Sequence, residues 1–177
     1  MELLQGEAFD DLFRTFERTA FHLEVQDAYH TPDESGPFHL FLDGQNDDLA
    51  SFQPWSALVR GVTSAGKAIT RARVVTVPHG DYTRWGLTIA ERNITAGEGI
   101  RWLPQHLIDP AELTSDDYWL FDDRRVVFTV FAPDGAFEGG AATIDPVIVQ
   151  HCRTIRDRVW KAAIPHDQYR VSDHIAL

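Results

Sequence analysis

Four arginines are the first residues to weigh as chemistry. Arg71 and Arg73 stand two apart in a β-branched run, Arg84 and Arg101 follow, and such cations are scarce in a chain with 16 Lys and Arg against 27 Asp and Glu. Converging at one end of a sheet, the four guanidiniums would hold a phosphate or carboxylate through charge-assisted hydrogen bonds. Scattered, they would pair with the surplus carboxylates. The densest charge cluster is Asp122 and Asp123 before Arg124 and Arg125. Two carboxylates at a strand end suit acid–base work, with Tyr82, Arg84 or Trp119 as partners. A solvated hairpin turn is the plainer expectation.

Other reactive types lack a supporting pattern. His22-Leu23-Glu24 places an imidazole and a carboxylate on one side of a strand, a geometry open to metal binding or proton transfer. An exposed strand face accounts for it as well and is the expectation here. None of the eight histidines falls in an H-E-x-x-H, H-x-H or H-x-x-x-H arrangement, so neither a metal nor a cofactor is expected. Cys152 lies in an apolar helical stripe, its one neighbouring base, His151, points elsewhere on the helix, and it reads as a buried small residue. Gly97-Glu98-Gly99 reads as a turn, and no G-x-S-x-G, P-loop or G-x-G-x-x-G occurs. His166-Asp167 and Asp173-His174 fall in a polar tail from about residue 166.

The elements that must position these residues follow from periodicity. Phe9, Leu12, Phe13, Phe16 and Ala20 share a helical face, and Phe21, Leu23 and Val25 then alternate as a strand. Thr31–Pro54 reads as a long irregular connection with a short helix at Phe38–Leu42. Trp55, Leu58, Val59 and Val62 give a helix ended by Gly66, and Ala68–Val77 is a strand presenting Arg71 and Arg73 on one face. Asp81 caps a helix in which Tyr82, Trp85 and Ile89 align, and a short strand follows at Ile100–Leu103. Tyr118–Phe121, Val126–Phe131 and Ala136–Thr143 form an antiparallel meander with turns at Asp122-Asp123-Arg124 and Pro133-Asp134-Gly135. Asp145-Pro146 opens the last helix, whose Ile148, Cys152, Ile155, Val159 and Ala163 face the core. The sum is one α/β domain over residues 1–177, a mixed sheet of about six strands flanked by helices.

A length of 177 residues supports one core rather than two. The net charge of −11 opposes direct nucleic-acid binding and suits a basic protein partner. One cysteine excludes an internal disulfide, and no apolar run reaches the roughly 20 residues that span a bilayer. The expectation is a cytoplasmic protein without membrane contact.

The segments FERTAFHLEVQDAY, GKAITRARVV followed by DYTRW, NITAGEGIRWLP, DYWLFDDRRVVF and RDRVWKAAIPHDQY resemble a domain-of-unknown-function family of small proteins from high-GC bacteria. Its genes often lie beside helix-turn-helix regulators. More distantly, Gly99–Pro104, Trp119–Asp122, Arg125–Val127 and Trp160–Pro165 resemble phospholipase D-like domains. That resemblance implies a phospholipase D-like half and, in its catalytic members, an H-x-K-x-x-x-x-D motif in which His attacks phosphorus and Lys stabilises the phosphate. Counting back from Asp122 finds Ser115 and Asp117, and from Asp123 finds Asp116 and Tyr118, so the motif is absent. The resulting expectation is a non-catalytic regulatory protein acting with a helix-turn-helix partner and sensing a small anion through Arg71, Arg73, Arg84, Arg101 and Trp119. The alternatives are a small enzyme, either phosphodiesterase-like or tailoring small molecules at Asp122, Asp123 and Tyr82, and a toxin-like component of a two-gene module.

Overall fold

Three parallel strands form the middle of the sheet, and their alternation decides what faces each side. In a computed structural model describing residues 1–29, 31–48, 50–132 and 136–172, these are β2 (Thr19–Glu24), β3 (Ala68–Val75) and β4 (Gly99–Pro104). They follow β1 (Glu2–Leu4) and precede β5 (Tyr118–Phe121), β6 (Arg125–Phe131), β7 (Phe137–Thr143) and β8 (Ile164–Pro165). The eight strands lie in the order β1-β7-β6-β5-β2-β3-β4-β8, antiparallel outside the central three. The helices are α1 (Glu7–Thr15), α2 (Pro32–Leu42), α3 (Gln53–Ser64), α4 (Asp81–Ala96), α5 (Pro146–Ala162) and the single turn α6 (His166–Tyr169).

Each face of the sheet is covered, as parallel strands require. Phe21, Leu23, Ala72, Val74, Leu103, Tyr118 and Leu120 point to one side, where the stripe Cys152, Ile155 and Val159 of α5 packs on them. Asp145 caps α5 by accepting the Val147 and Ile148 N–H groups. On the other side, α1 and α3 bury Ala20, Ile69, Trp119, Phe121 and Val127. There α4 lies over the neighbouring end of the sheet.

The sheet has two more strands than the sequence predicts, because β1 and β8 are edge strands of three and two residues, too short to alternate. Helix α1 stops at Thr15 rather than running to Ala20: Phe16 is extended, and Ala20 already belongs to β2. Strand β2 ends at Glu24, before the last alternating residue, Val25. The 31–54 connection holds α2, with Pro37 inside it, and a 3-10 turn at Ala50–Phe52. Gly80, not Asp81, is the N-cap of α4. The polar tail is also corrected. Tyr169 is fully buried, its ring stacked on Trp102 and its hydroxyl 2.9 Å from His79 Nε2, while Trp102 Nε1 donates to His166 at 3.0 Å. The Pro133-Asp134-Gly135 turn and Asp173-His174 lie outside the described residues.

Candidate functional site

Register puts four charged or polar side chains on the same face of β2 and β3. His22 pairs with Arg71 and Glu24 with Arg73 across the parallel ladder, at positions where alternation turns them away from the α5 core. Glu24 accepts from both arginines, and Arg71 Nε also donates to Glu98 at 2.7 Å. Glu98 arrives from the end of α4 and accepts the Trp55 indole N–H at 2.9 Å. Its side chain is completely buried. Four unlike charges thus neutralise one another inside the protein, the condition under which buried ions persist.

The pairing sets the ionisation of each group. Burial alone would raise the Glu24 carboxyl, but the Arg71 and Arg73 guanidiniums overcome it and hold it down at about 2. Burial works against both guanidiniums as well, and the carboxylates keep them firmly charged. His22 is pushed down to about 3 by burial, with Arg71 and Arg73 adding to the effect against Glu24. Its neutral imidazole stacks on Trp119, ring centres 4.1 Å apart.

Above this floor lies a cavity of about 810 Å³, within the usual range for small-molecule sites. Its walls include Trp55, Trp85, Trp119, Tyr29 and Tyr82, with Asn93 of α4 opposite the sheet. Gly86 is on the same stripe of α4, and the Arg73 guanidinium occupies the space a Cβ there would need. Tyr82 donates to Glu34 Oε2 at 2.5 Å, which also accepts from Thr31 at 2.7 Å. Asp117, 1% exposed, reaches the cavity from the β5 side and accepts the Val25 N–H at 2.7 Å. Burial pushes its carboxyl up to about 6.

Of the predicted site residues, Arg71, Arg73, Trp119 and Tyr82 meet at this cavity. Arg84 and Arg101 do not. Arg84 is on the exposed side of α4, paired with Asp81 at 3.2 Å, and Arg101 points to the opposite face of the sheet, over the Trp160 ring. The convergence of four arginines is therefore corrected to two, because β4 turns Arg101 and Trp102 to opposite sides. Asp122 and Asp123 form a hairpin turn with φ of 53° and 58°. The Asp122 carboxylate accepts the N–H groups of Glu17, Arg18 and Thr19, and Asp123 pairs with Arg156 at 3.0 Å. They are structural, and the acid–base site built on them is corrected accordingly. The Asp122 contacts also hold its carboxyl below the usual range, against a burial effect that would raise it. Cys152 is buried in the α5 core, as predicted, its thiol pushed up to about 11 by burial.

The His22-Leu23-Glu24 segment is not an exposed face, and Glu98 is not merely part of a turn. Polar residues at i and i+2 on each of two predicted strands, His22 and Glu24 on one and Arg71 and Arg73 on the other, were the available signal. Glu34, Trp55, Asn93 and Asp117 carry none, being brought in by distant elements. Among the described residues no His, Cys, Asp and Glu grouping has the form of a metal site, and no helix is long and apolar enough to cross a membrane.

Comparison with known proteins places this arrangement in context. The profile of a domain of unknown function, DUF6879, matches residues 7–171. No curated protein sequence matches the chain. Among solved structures, the fold is similar to a phospholipase D family member, Nuc from Salmonella typhimurium, with a TM-score of 0.55 and 10% identity over 90% of this chain and 91% of that one. It is likewise similar to NucT from Helicobacter pylori, with a TM-score of 0.53 and 8% identity over 88% and 89%.

Proposed function

The chain belongs to the DUF6879 family, and on that premise we propose that it is a non-catalytic regulatory domain that binds a small molecule on a phospholipase D-like scaffold. The observation that carries this reading is the charge-balanced Glu24, Arg71, Arg73 and Glu98 network flooring an aromatic-walled cavity. Charged side chains at the centre of a sheet cost stability, and a ligand site is the reason to keep them there. Loss of phosphodiesterase chemistry fits both registers of the missing motif. Counted from Asp122, the nucleophile position is the exposed Ser115, bonded to Asp116, and the lysine position is Asp117, a carboxylate. Counted from Asp123, the lysine position is Tyr118, whose hydroxyl donates to the Cys152 carbonyl in the opposite core.

The arginines bear on the anion expectation as well. Freeing Arg71 for a phosphate would strip the buried Glu98 of its arginine, which costs on the order of 3–5 kcal/mol, and freeing Arg73 would remove one of the two arginines that hold Glu24. Their role in this reading is to hold the floor rigid and polar. The helix-turn-helix partner is part of the proposal, supported by the net charge of −11, which suits a basic surface.

One observation favours the enzyme reading: Asp117, titrating near 6 beside a cavity, has the profile of an acid–base group. Its contact with Val25 and the absence of a facing nucleophile among the described residues make the binding reading the stronger. Purification of the tagged full chain from its native cells, with mass spectrometry of bound proteins and small molecules, tests the proposal. A retained metabolite and a basic DNA-binding protein are expected. A bare monomer from cells in which both genes are expressed overturns it.

A further inference from the structure

Resting on the ligand-binding reading above, we infer that the cavity selects an organic cation bearing N–H donors on an aromatic body, an arylalkylamine in chemical class. Charge balance comes first. Among the described residues, Glu24, Glu34, Asp117 and the underlying Glu98 face Arg71 and Arg73, leaving a formal charge of −2; the exposed Asp10 and Arg14 at the cavity cancel. Low-dielectric walls concentrate that potential on whatever enters. An anion is repelled and a cation drawn in.

Hydrogen-bonding capacity points the same way. Asn93 is 8% exposed, lines the cavity, and its Oδ1 has no partner among the described residues. His22 Nδ1 lies 3.3 Å from Glu24 Oε1, and neither ring nitrogen has a hydrogen-bond partner among the described residues, so the neutral ring offers one donor and one acceptor. Tyr29 and Thr129, which also line the cavity, carry hydroxyls without a hydrogen-bond partner among the described residues that can donate or accept, whereas Asn93 Oδ1 can only accept. Asn93 Oδ1 therefore calls for a donor, which an ammonium supplies and a carboxylate or phosphate does not. The walls supply the rest: Trp55, Trp85, Trp119, Tyr29 and Tyr82 offer ring faces that attract a cation and pack on an aromatic body.

Isothermal titration of the full chain near pH 7.5 with phenethylamine, 2-phenylethanol and 3-phenylpropanoate separates charge from shape. The amine is expected to bind at least about tenfold more tightly than the alcohol, with the acid weakest. Glu34→Gln and, separately, Asp117→Asn should each lower amine affinity severalfold and alcohol affinity by much less, so that the preference for the amine over the alcohol narrows. Tighter binding of the alcohol or the acid overturns the cation inference and leaves the ligand-binding reading standing. Failure of all three to bind or to change tryptophan fluorescence overturns the inference and counts against the ligand-binding reading too. An amine preference untouched by both variants assigns it to some other surface and also overturns the inference.

Discussion

The Arg73 guanidinium lies against Gly86 so closely that a methyl group on that glycine would overlap its Nη1. Gly86 is buried in the interior of α4, where glycine costs roughly 1 kcal/mol relative to alanine. Its presence is explained by the ion pair it accommodates. Gly86→Ala should therefore lower stability by about 1–2 kcal/mol net, overpacking outweighing the helix gain. Gly61 in α3 has open space around it, so Gly61→Ala should raise stability by about 0.5–1 kcal/mol. Urea denaturation of the two variants checks the pair. Equal stabilisation by both would show that Arg73 does not need the space.

Glu24 joins both arginines, and its removal leaves Arg73 without a carboxylate partner while Arg71 keeps Glu98. Glu24→Ala should cost about 3 kcal/mol or more, as stranded buried charges do. Glu24→Ala combined with Arg73→Met should recover part of the loss, and a double-mutant cycle on urea midpoints measures it.

Acid should weaken the fold, and the sign differs between groups. His22 titrates near 6.5 when unfolded and about 3 when folded, so its stabilising contribution is present above pH 6.5 and is lost as pH falls toward 3. Glu24, lowered from 4.5 to about 2, contributes above 4.5 and loses that contribution as pH falls through 2. Asp117 runs the other way: raised from 3.8 to about 6, it favours the fold most below 3.8 and loses that contribution as pH rises through 6. Between pH 7 and 4, His22→Gln should lose about 3 kcal/mol less stability than wild type, and Asp117→Asn about 2 kcal/mol more. Urea midpoints at the two pH values decide; identical slopes in all three proteins would refute the assignment.

The segment after Pro165 is a packed latch. Tyr169→Ala removes a fully buried ring stacked on Trp102 and should cost about 3–5 kcal/mol, as large aromatic truncations do. Tyr169→Phe keeps the ring and loses the hydroxyl contact to His79, costing about 1 kcal/mol. Thermal unfolding of both variants measures the difference.

Much of this architecture was legible in the sequence. Periodicity located α3, α4, α5 and the central and meander strands, because each buries one apolar face along a run long enough to repeat. The edge strands β1 and β8 were not legible, since pairing with a neighbour rather than pattern makes them strands. Arg71 and Arg73 stood out as rare cations on one strand face. His22 and Glu24 were misread as exposed, though a parallel sheet covered on both faces leaves no solvated side for them. Glu98 escaped because its partner Arg71 is 27 positions away in the chain, and a turn glycine on either side masked a buried carboxylate.

The central claim, a phospholipase D-like fold that binds without cleaving, is tested most directly by incubating the purified chain with bis(p-nitrophenyl) phosphate and following nitrophenol release. The account predicts release at the protein-free rate for wild type and for Asp117→Asn alike. Release above that rate that disappears in His22→Gln or Asp117→Asn would contradict it.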